Sequence, residues 1–434
     1  MAPKTNPDAN RFGEIGVSGV KIQSGVVHDE FLRELHGRKG RETFKQMAYN
    51  DATIAAFLHA FETLVRKTDW TVTPADNTAA AQREAEFLQG VLFEDMSHSW
   101  DDFLSEVLTF LIYGWSYFEI VLKRRSGPRS TSPSRRSRFR DGRIGVRKLA
   151  PRSQDTLDRW KLDDDGGIQG LWQWPPLGGV PTFIPIERSL LFRTKTKQGN
   201  PEGQSVLRGA YRSWYYKNQV EISEAIGIER DLAGMPIARV PNEVLTDPDK
   251  TAQLEAYRQM VRDVRMNSQG GIVLPSDTYE DSEGNPTGTP RVDFSLVSSA
   301  GQRTIDTNAV ILRYQRDIAR SVLSDFLMLG STGNGSFALS KSKTDLFLQS
   351  LESFTCQIRD TLNRHLVPRL WQMNNLDEAT MPLLSFGDIA PVDLDELGNF
   401  LRNIAGAGIP LGPDDRLEDA LREQAGLPES EPEL

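Results

Sequence analysis

"LGSTGNGSFALSKSKTDLF", residues 329–347, decides between two kinds of protein. Three glycines lead into serines, lysines and a run of helical character, which is the outline of a phosphate-binding loop. That loop needs G-x-x-x-x-G-K-[ST], because backbone N–H groups cradle the phosphates, the Lys reaches the terminal ones and the hydroxyl holds magnesium. Gly330 and Gly335 have the spacing, but Ser336 and Phe337 stand where Lys and Ser/Thr are required, and the first lysine is Lys341. The preceding stretch, "TNAVILRYQRDIARSVLSDFLML", has helical rather than strand period. The stretch therefore reads as a loop between two helices, with glycine supplying backbone freedom. That argues against a nucleotide site here, and the chain as a whole reads as a predominantly helical α+β protein.

The chain has 434 residues, enough for two or three domains of ordinary size. At 38% hydrophobic and 26% charged it suits a soluble globular protein rather than a disordered one. One cysteine, Cys356, allows no internal disulfide and fits a reducing compartment. His28, His36, His59, His98 and His365 are scattered, with no HExxH and no Cys/His cluster, which argues against zinc. The triple Asp163–Asp164–Asp165 lacks the alternate spacing of a calcium loop and reads as a hairpin turn. The most apolar run, "VLTFLIYGWSYFEIVL" (107–122), contains Glu119 and is shorter than the roughly 20 residues that span a bilayer. It reads as a buried helix, a break at Gly114 and then a strand, so no membrane anchor is expected. The polar start has no apolar signal core.

Net charge is −9, yet residues 123–148, "KRRSGPRSTSPSRRSRFRDGRIGVRK", hold eleven Lys/Arg against one Asp. Such a block is either a solvated segment or a contact for nucleic acid or an acidic partner. It interrupts an apparent β-hairpin, as a removable surface insertion does. The candidates for a partner contact are Arg124, Arg125, Arg135, Arg136, Arg138 and Arg140.

Along the chain, apolar spacing predicts helices over 41–68, with Asp51 as an internal cap, over 78–93, and over 99–113 from Ser99. "TDWTVTPAD" reads as a short strand. From 115 to 195 the period is two, and "TLDRWKLDDDGGIQGLWQW" reads as two strands around an Asp-Gly turn. A long helix is expected over 204–232, where Tyr211, Trp214, Tyr215 and Tyr216 suit packing between helices better than base stacking. Residues 235–300 read as a small mixed unit: strands at "MPIARVP", "GGIVLPSDTYE" and "RVDFSLVS", a helix over 247–266, and a loop at "DSEGNPTGTP". A second long helix is expected over 301–329, with Ile311, Tyr314, Ile318 and Val322 on one face. Arg313, Arg316 and Arg320 lie within about 60° of one another on another face, as a basic stripe or a solvated surface. A further helix over 340–372 and two short C-terminal amphipathic helices complete the reading.

Several segments together resemble the portal proteins of tailed bacteriophages, in particular those of Mu-like phages. They are "YGWSYFEIVLK" (113–123), "LAPRSQDTLDRWKLDDDGGI" (149–168), "GNPEGQSVLRGAYRSWYYKNQ" (199–219), "IERDLAGMPIARVP" (228–241), "GGIVLPSD" (270–277), "IARSVLSDFLMLGSTGNGSFALS" (318–340) and the C-terminal "GIP…AGLPESEPE". They stand in the family's order over roughly 45–430. The block 123–148 departs from the shorter hairpin usual there.

The resemblance implies a dodecameric ring at the unique capsid vertex, through which double-stranded DNA passes in packaging and ejection. It implies docking of terminase and a head–tail adaptor, contact with the major capsid protein, and a place in the virion after assembly in the host cytoplasm. It implies no catalysis, no cofactor and no metal. The implied parts are a wing (1–203 and 330–389), stem helices (204–232 and 301–329), a clip (233–300) and a helical crown (390–434). The glycine loop becomes the tunnel loop, with Ser331, Thr332, Gly333, Asn334, Gly335 and Ser336 facing the channel. Small neutral residues suit that place, since each contacted phosphate would add affinity to a basic wall and hold the DNA. The alternatives are a minor capsid or adaptor protein without a channel, a packaging-associated nucleotide-hydrolysing enzyme, and a nucleic-acid-binding regulator resting on 123–148 alone.

Overall fold

The computed structural model describes residues 19–129, 131–132, 135–164, 166–233, 235–265, 273–297, 306–324 and 337–389, with a few isolated positions beyond 397. It is a mixed structure in which helix predominates, and it divides into two units, residues 1–211 with 318–434 and residues 212–317.

The first unit is organised on one strand. It begins with a hairpin, β1 (Ile22–Gln23) and β2 (Val26–Val27), followed by α1 (Gly37–Asn50) and α2 (Ala52–Lys67). Asp51 separates the helices as expected: its carboxylate accepts from the Thr53 and Ile54 N–H groups, two donors that a helix start otherwise leaves open. Next come β3 (Trp70–Thr73), α3 (Ala79–Gln89), a π-turn at Gly90–Glu94, α4 (Trp100–Val107) and α5 (Thr109–Tyr113). Ser99 and Asp102 form a reciprocal capping box at the start of α4.

Gly114 then turns the chain into β4 (Trp115–Arg124). Its φ is +90°, and a Cβ there would lie 2.6 Å from the Glu202 carbonyl oxygen. β4 is the centre of an antiparallel sheet of order β5–β4–β9, with β5 at Ile144–Arg152 and β9 at Ser189–Arg193. A second sheet is formed by β6 (Leu157–Leu162), β7 (Ile168–Gln173) and β8 (Thr182–Pro185), the first two joined through the expected aspartate turn.

Successive residues of β4 point to opposite faces. Trp115 and Tyr117 pack with Trp160, Leu171 and Ile184 of the second sheet, while Phe118 meets Phe103 of α4 and Phe192 of β9. Both faces are therefore covered, which is why the strand reads as a largely apolar run rather than a strict alternation. Burial of a side chain such as Phe118 contributes about 1.5–3 kcal/mol.

The chain leaves this unit through a 3₁₀ turn at Val206–Arg208 and α6 (Tyr211–Ala233). The single helix expected over 204–232 thus starts later, because the Ser205 hydroxyl accepts from the Leu207 N–H and sets a tighter turn first.

The second unit holds most of α6, then β10 (Met235–Arg239), α7 (Asn242–Thr246), α8 (Thr251–Arg265), β11 (Thr278–Glu280), β12 (Pro286–Pro290), β13 (Asp293–Val297) and most of α9 (Thr307–Ser321). β10 and β13 pair antiparallel, Met235 with Val297 and Arg239 with Asp293. Val244, Tyr257 and Val292 form a small core with Leu254 and Leu274.

Two expectations fail here. The strand at "GGIVLPSDTYE" is confined to Thr278–Glu280 among the described residues. "DSEGNPTGTP" is not only a loop: Pro286–Pro290 pairs with that strand, around a turn in which the Asp281 carboxylate accepts from the Glu283 and Asn285 N–H groups. The hairpin is wholly exposed at β12, so burial imposes no alternation on its sequence.

The helix expected over 301–329 is α9 and stops at Ser321. Leu323 is left-handed, with φ +58°; its N–H donates to Arg320 O (3.2 Å) and the Ser324 N–H to Ala319 O (2.8 Å). That is a Schellman ending with Leu where glycine is usual.

The chain returns to the first unit. α10 (Phe337–Thr361) passes through a π-bulge at Leu362–Leu366 into α11 (Val367–Asn374), so the helix expected over 340–372 is present as one helical run with a local widening. Phe347 and Phe354 of α10 pack on Phe61 of α2, and β14 (Leu383–Phe386) pairs with β3.

Gly114→Ala is expected to lower stability by more than about 1 kcal/mol, since it adds a left-handed strain to a clash with backbone. Thermal melting of the purified chain checks this, and an unchanged midpoint would refute the close approach.

Candidate functional site

Three sets of residues were expected to carry function: the glycine loop, the arginine stripe of α9 and the basic block. Ser331, Thr332, Gly333, Asn334, Gly335 and Ser336 lie outside the described residues.

In the second unit, α6 and α9 form an antiparallel pair. Tyr216 stacks on Tyr314 with ring centroids 6.3 Å apart, and Thr307 Oγ1 donates to the Glu224 carboxylate. Partners thus rise along α6 as they fall along α9. The Tyr216–Tyr314 contact is the helix-to-helix packing that the aromatic cluster suggested. Arg313, Arg316 and Arg320 are exposed, and the Arg313 guanidinium lies 4.9 Å from the Tyr314 ring centroid.

Sequence reading missed a stripe on α6. Tyr215, Ile222 and Ile226 are all exposed, and at about 100° per residue they fall within about 40° of one another. The signal was present as a 7-then-4 spacing, but it resembles any core-facing helix until the exposure is known. Apolar side chains lined up in solvent mark an interaction surface.

The basic block joins β4 to β5, which pair Arg124 with Ile144 at its base. It is tied to the body of the first unit. Lys123 is buried, and its Nζ lies 3.1 Å from Asp95 Oδ1 and donates to Arg136 O (2.9 Å). The Asp95 carboxylate, also buried, accepts from Ser137 Oγ (2.7 Å) and from the Arg138 N–H (3.1 Å). An ion pair taken out of water holds only when the remaining lone pairs and protons are satisfied, and here the loop's backbone and the Ser137 hydroxyl satisfy them.

Arg125 corrects the expectation of a partner-facing cation, because it is only 2% exposed. Its guanidinium carbon sits 3.9 Å from the Phe139 ring centroid and 5.0 Å from that of Phe87, and its Nε lies 3.3 Å from Asp141 Oδ2. Burial lowers its pKa, and the Asp141 carboxylate opposes that. Arg143 makes a two-pronged pair with Glu84, at 2.6 and 2.9 Å. Arg124, Arg135, Arg136, Arg138 and Arg140 are exposed, as is Arg129.

Among the described residues, no group of three or more His, Cys, Asp or Glu could hold a metal ion, and no helix is long and apolar enough to cross a membrane.

The family model described as "Portal protein of Mu bacteriophage" matches residues 41–427, and the chain belongs to that family. The fold is similar to a chain in the neck of an empty gene transfer agent (GTA) particle computed with C6 symmetry, at TM-score 0.52 and 11% identity, covering 90% of this chain and 94% of that one. A chain in the neck of the native GTA particle computed with C12 symmetry gives TM-score 0.50 and 12% identity at the same coverage. A chain of the native GTA virion gives 0.51 and 11%, again over 90% and 94%.

Asp95→Asn leaves Lys123 buried without a counter-charge and is expected to cost about 3–5 kcal/mol. The double change Asp95→Leu with Lys123→Met is expected to recover part of that loss. Urea midpoints of the three proteins check the order; equal midpoints for wild type and Asp95→Asn would deny the pair its structural role.

Proposed function

We propose that this chain is a phage portal subunit. Copies form a ring, of about twelve on the resemblance, whose channel carries double-stranded DNA. The ring serves as the docking site for terminase and the head–tail adaptor at one capsid vertex, set among copies of the major capsid protein. It assembles in the host cytoplasm and carries no bond chemistry of its own.

The observation that most supports this reading is the second unit. A helix leaves the main body, a short strand pair and a small core follow, and an antiparallel helix returns, with an apolar stripe left in solvent on the outgoing helix. In this reading α6 and α9 are the stem and β10 to β13 the clip. The wing comprises the first unit up to residue 203 and residues 330–389, and the crown is 390–434. The stripe Tyr215–Ile222–Ile226 faces the neighbouring copy. Residues 331–336 form the tunnel loop, and Arg313, Arg316 and Arg320 belong to the stem surface.

Electron microscopy with mass measurement on one sample tests the ring. Annular particles with an axial hole wide enough for a duplex are expected, without ATP hydrolysis. A stable small oligomer that hydrolyses ATP would sink the reading.

Replacing Ile222 and Ile226 together by Asp is expected to shift the mass from ring to smaller species while the circular dichroism spectrum is kept. Rings of unchanged mass would remove the stripe from the interface. Deleting 331–336 is expected to leave assembly intact and to impair packaging or retention of DNA in particles; loss of assembly would contradict the tunnel-loop assignment.

A further inference from the structure

We propose that the arginine loop between β4 and β5 binds the phosphate backbone of duplex nucleic acid, without regard to base sequence. The argument starts from where the counter-charges go. Three carboxylates reach the base of the loop, and each is paired there with a cation. Asp95 is held by Lys123, Asp141 by Arg125 and Glu84 by Arg143. The loop itself contributes only one of the three, Asp141. Arg129, Arg135, Arg138 and Arg140 are exposed, and among the described residues none of them makes an ion pair. The fold has neutralised its buried cations and left the outer ones open.

The open arginines stand on fixed main chain. Ser137 sits between Arg136 and Arg138, and its buried hydroxyl donates to Asp95. Arg138 donates its own N–H to the same carboxylate, and Arg136 gives its carbonyl to Lys123. The Ser137 N–H donates to Gly127 O (3.3 Å) and the Gly142 N–H to Arg125 O (3.0 Å), which ties the loop across its width. Backbone ordering, a large cost when a free basic tail binds, is met here by folding.

Residue type then selects the ligand. From 124 to 140 every cation is arginine and none is lysine. The planar guanidinium fork matches phosphate oxygens two at a time, and it keeps its charge at any working pH. Single-stranded nucleic acid would need aromatic faces on which bases stack. The one aromatic residue of the loop, Phe139, has its ring under the Arg125 guanidinium. No stacking platform is left, so the contact is with backbone phosphates, and the phosphate rows of a duplex offer a partner to each open cation. The rest of the chain is acidic overall, which confines the attraction to this patch.

The proposal is independent of the ring reading, since single protomers and rings carry the same loop. It is tested on the full-length chain by fluorescence anisotropy with a labelled mixed-sequence DNA duplex over a range of NaCl concentrations. Binding is expected with a log–log salt slope of about −3 to −4, the value for four phosphates neutralised. The variant R129E/R135E/R138E/R140E is expected to bind at least about tenfold more weakly with a flatter slope. Its melting temperature and particle mass should stay unchanged, because none of the four side chains enters the Asp95 or Arg125 contacts. Equal affinity of wild type and variant would overturn the proposal. So would tighter binding of a single strand than of the duplex. Preference for poly-glutamate over the duplex would make the loop a contact for an acidic protein instead. Loss of ring mass in the variant would make it a contact between protomers.

Discussion

The structure depends on the burial of one strand from both sides. β4 leaves Gly114 and sends Trp115 and Tyr117 into the second sheet and Phe118 into the helical layer. The strand therefore contributes to the core of both layers at once. The strand's far end carries the same constraint into the basic block. Lys123 is its next-to-last residue and is drawn into a buried pair with Asp95, so the loop that follows must close over that pair. An apolar strand thus ends by dictating the position of a charged surface.

Much of the fold was legible in the sequence where a local rule acts alone. Asp51 announces a helix start by side-chain chemistry, Ser99 and Asp102 do the same, and Gly114 marks a break where the main chain takes a left-handed turn into β4. The aspartate-glycine turn between β6 and β7 is equally local. Legibility fails where two distant segments decide. The apolar period beyond Ser321 continues, yet α9 stops there with Leu323 in a conformation that leucine seldom adopts. Nothing in a run of helix formers foretells that ending. The hairpin at Pro286–Pro290 failed for the opposite reason, since an exposed ribbon leaves no hydrophobic pattern to read.

The candidate sites show the same division. Charge density located the basic block, but charge alone could not separate Arg125 from its neighbours. Phe87 stands 38 residues earlier and Phe139 lies across the loop, and only the fold brings both rings to one guanidinium. The apolar stripe of α6 was readable as spacing and unreadable as surface, because a helix pattern does not say whether the core or a second molecule covers it.

The pairing of β3 with β14 has a consequence for how the protein is made. Thr71 and Ser385 meet although they are 314 positions apart, and α10 must return before α2 finds its aromatic partners. Synthesis has therefore passed residue 386 before the first unit can close. Throughout that interval Trp70, Phe57 and Phe61 lack their final covering. Such late closure slows folding and leaves apolar surface open to misassociation. The second unit, whose helix pair, ribbon and small core all come from one continuous segment, can form while synthesis continues. The inserted unit is thus expected to be built while the main body still waits for β14.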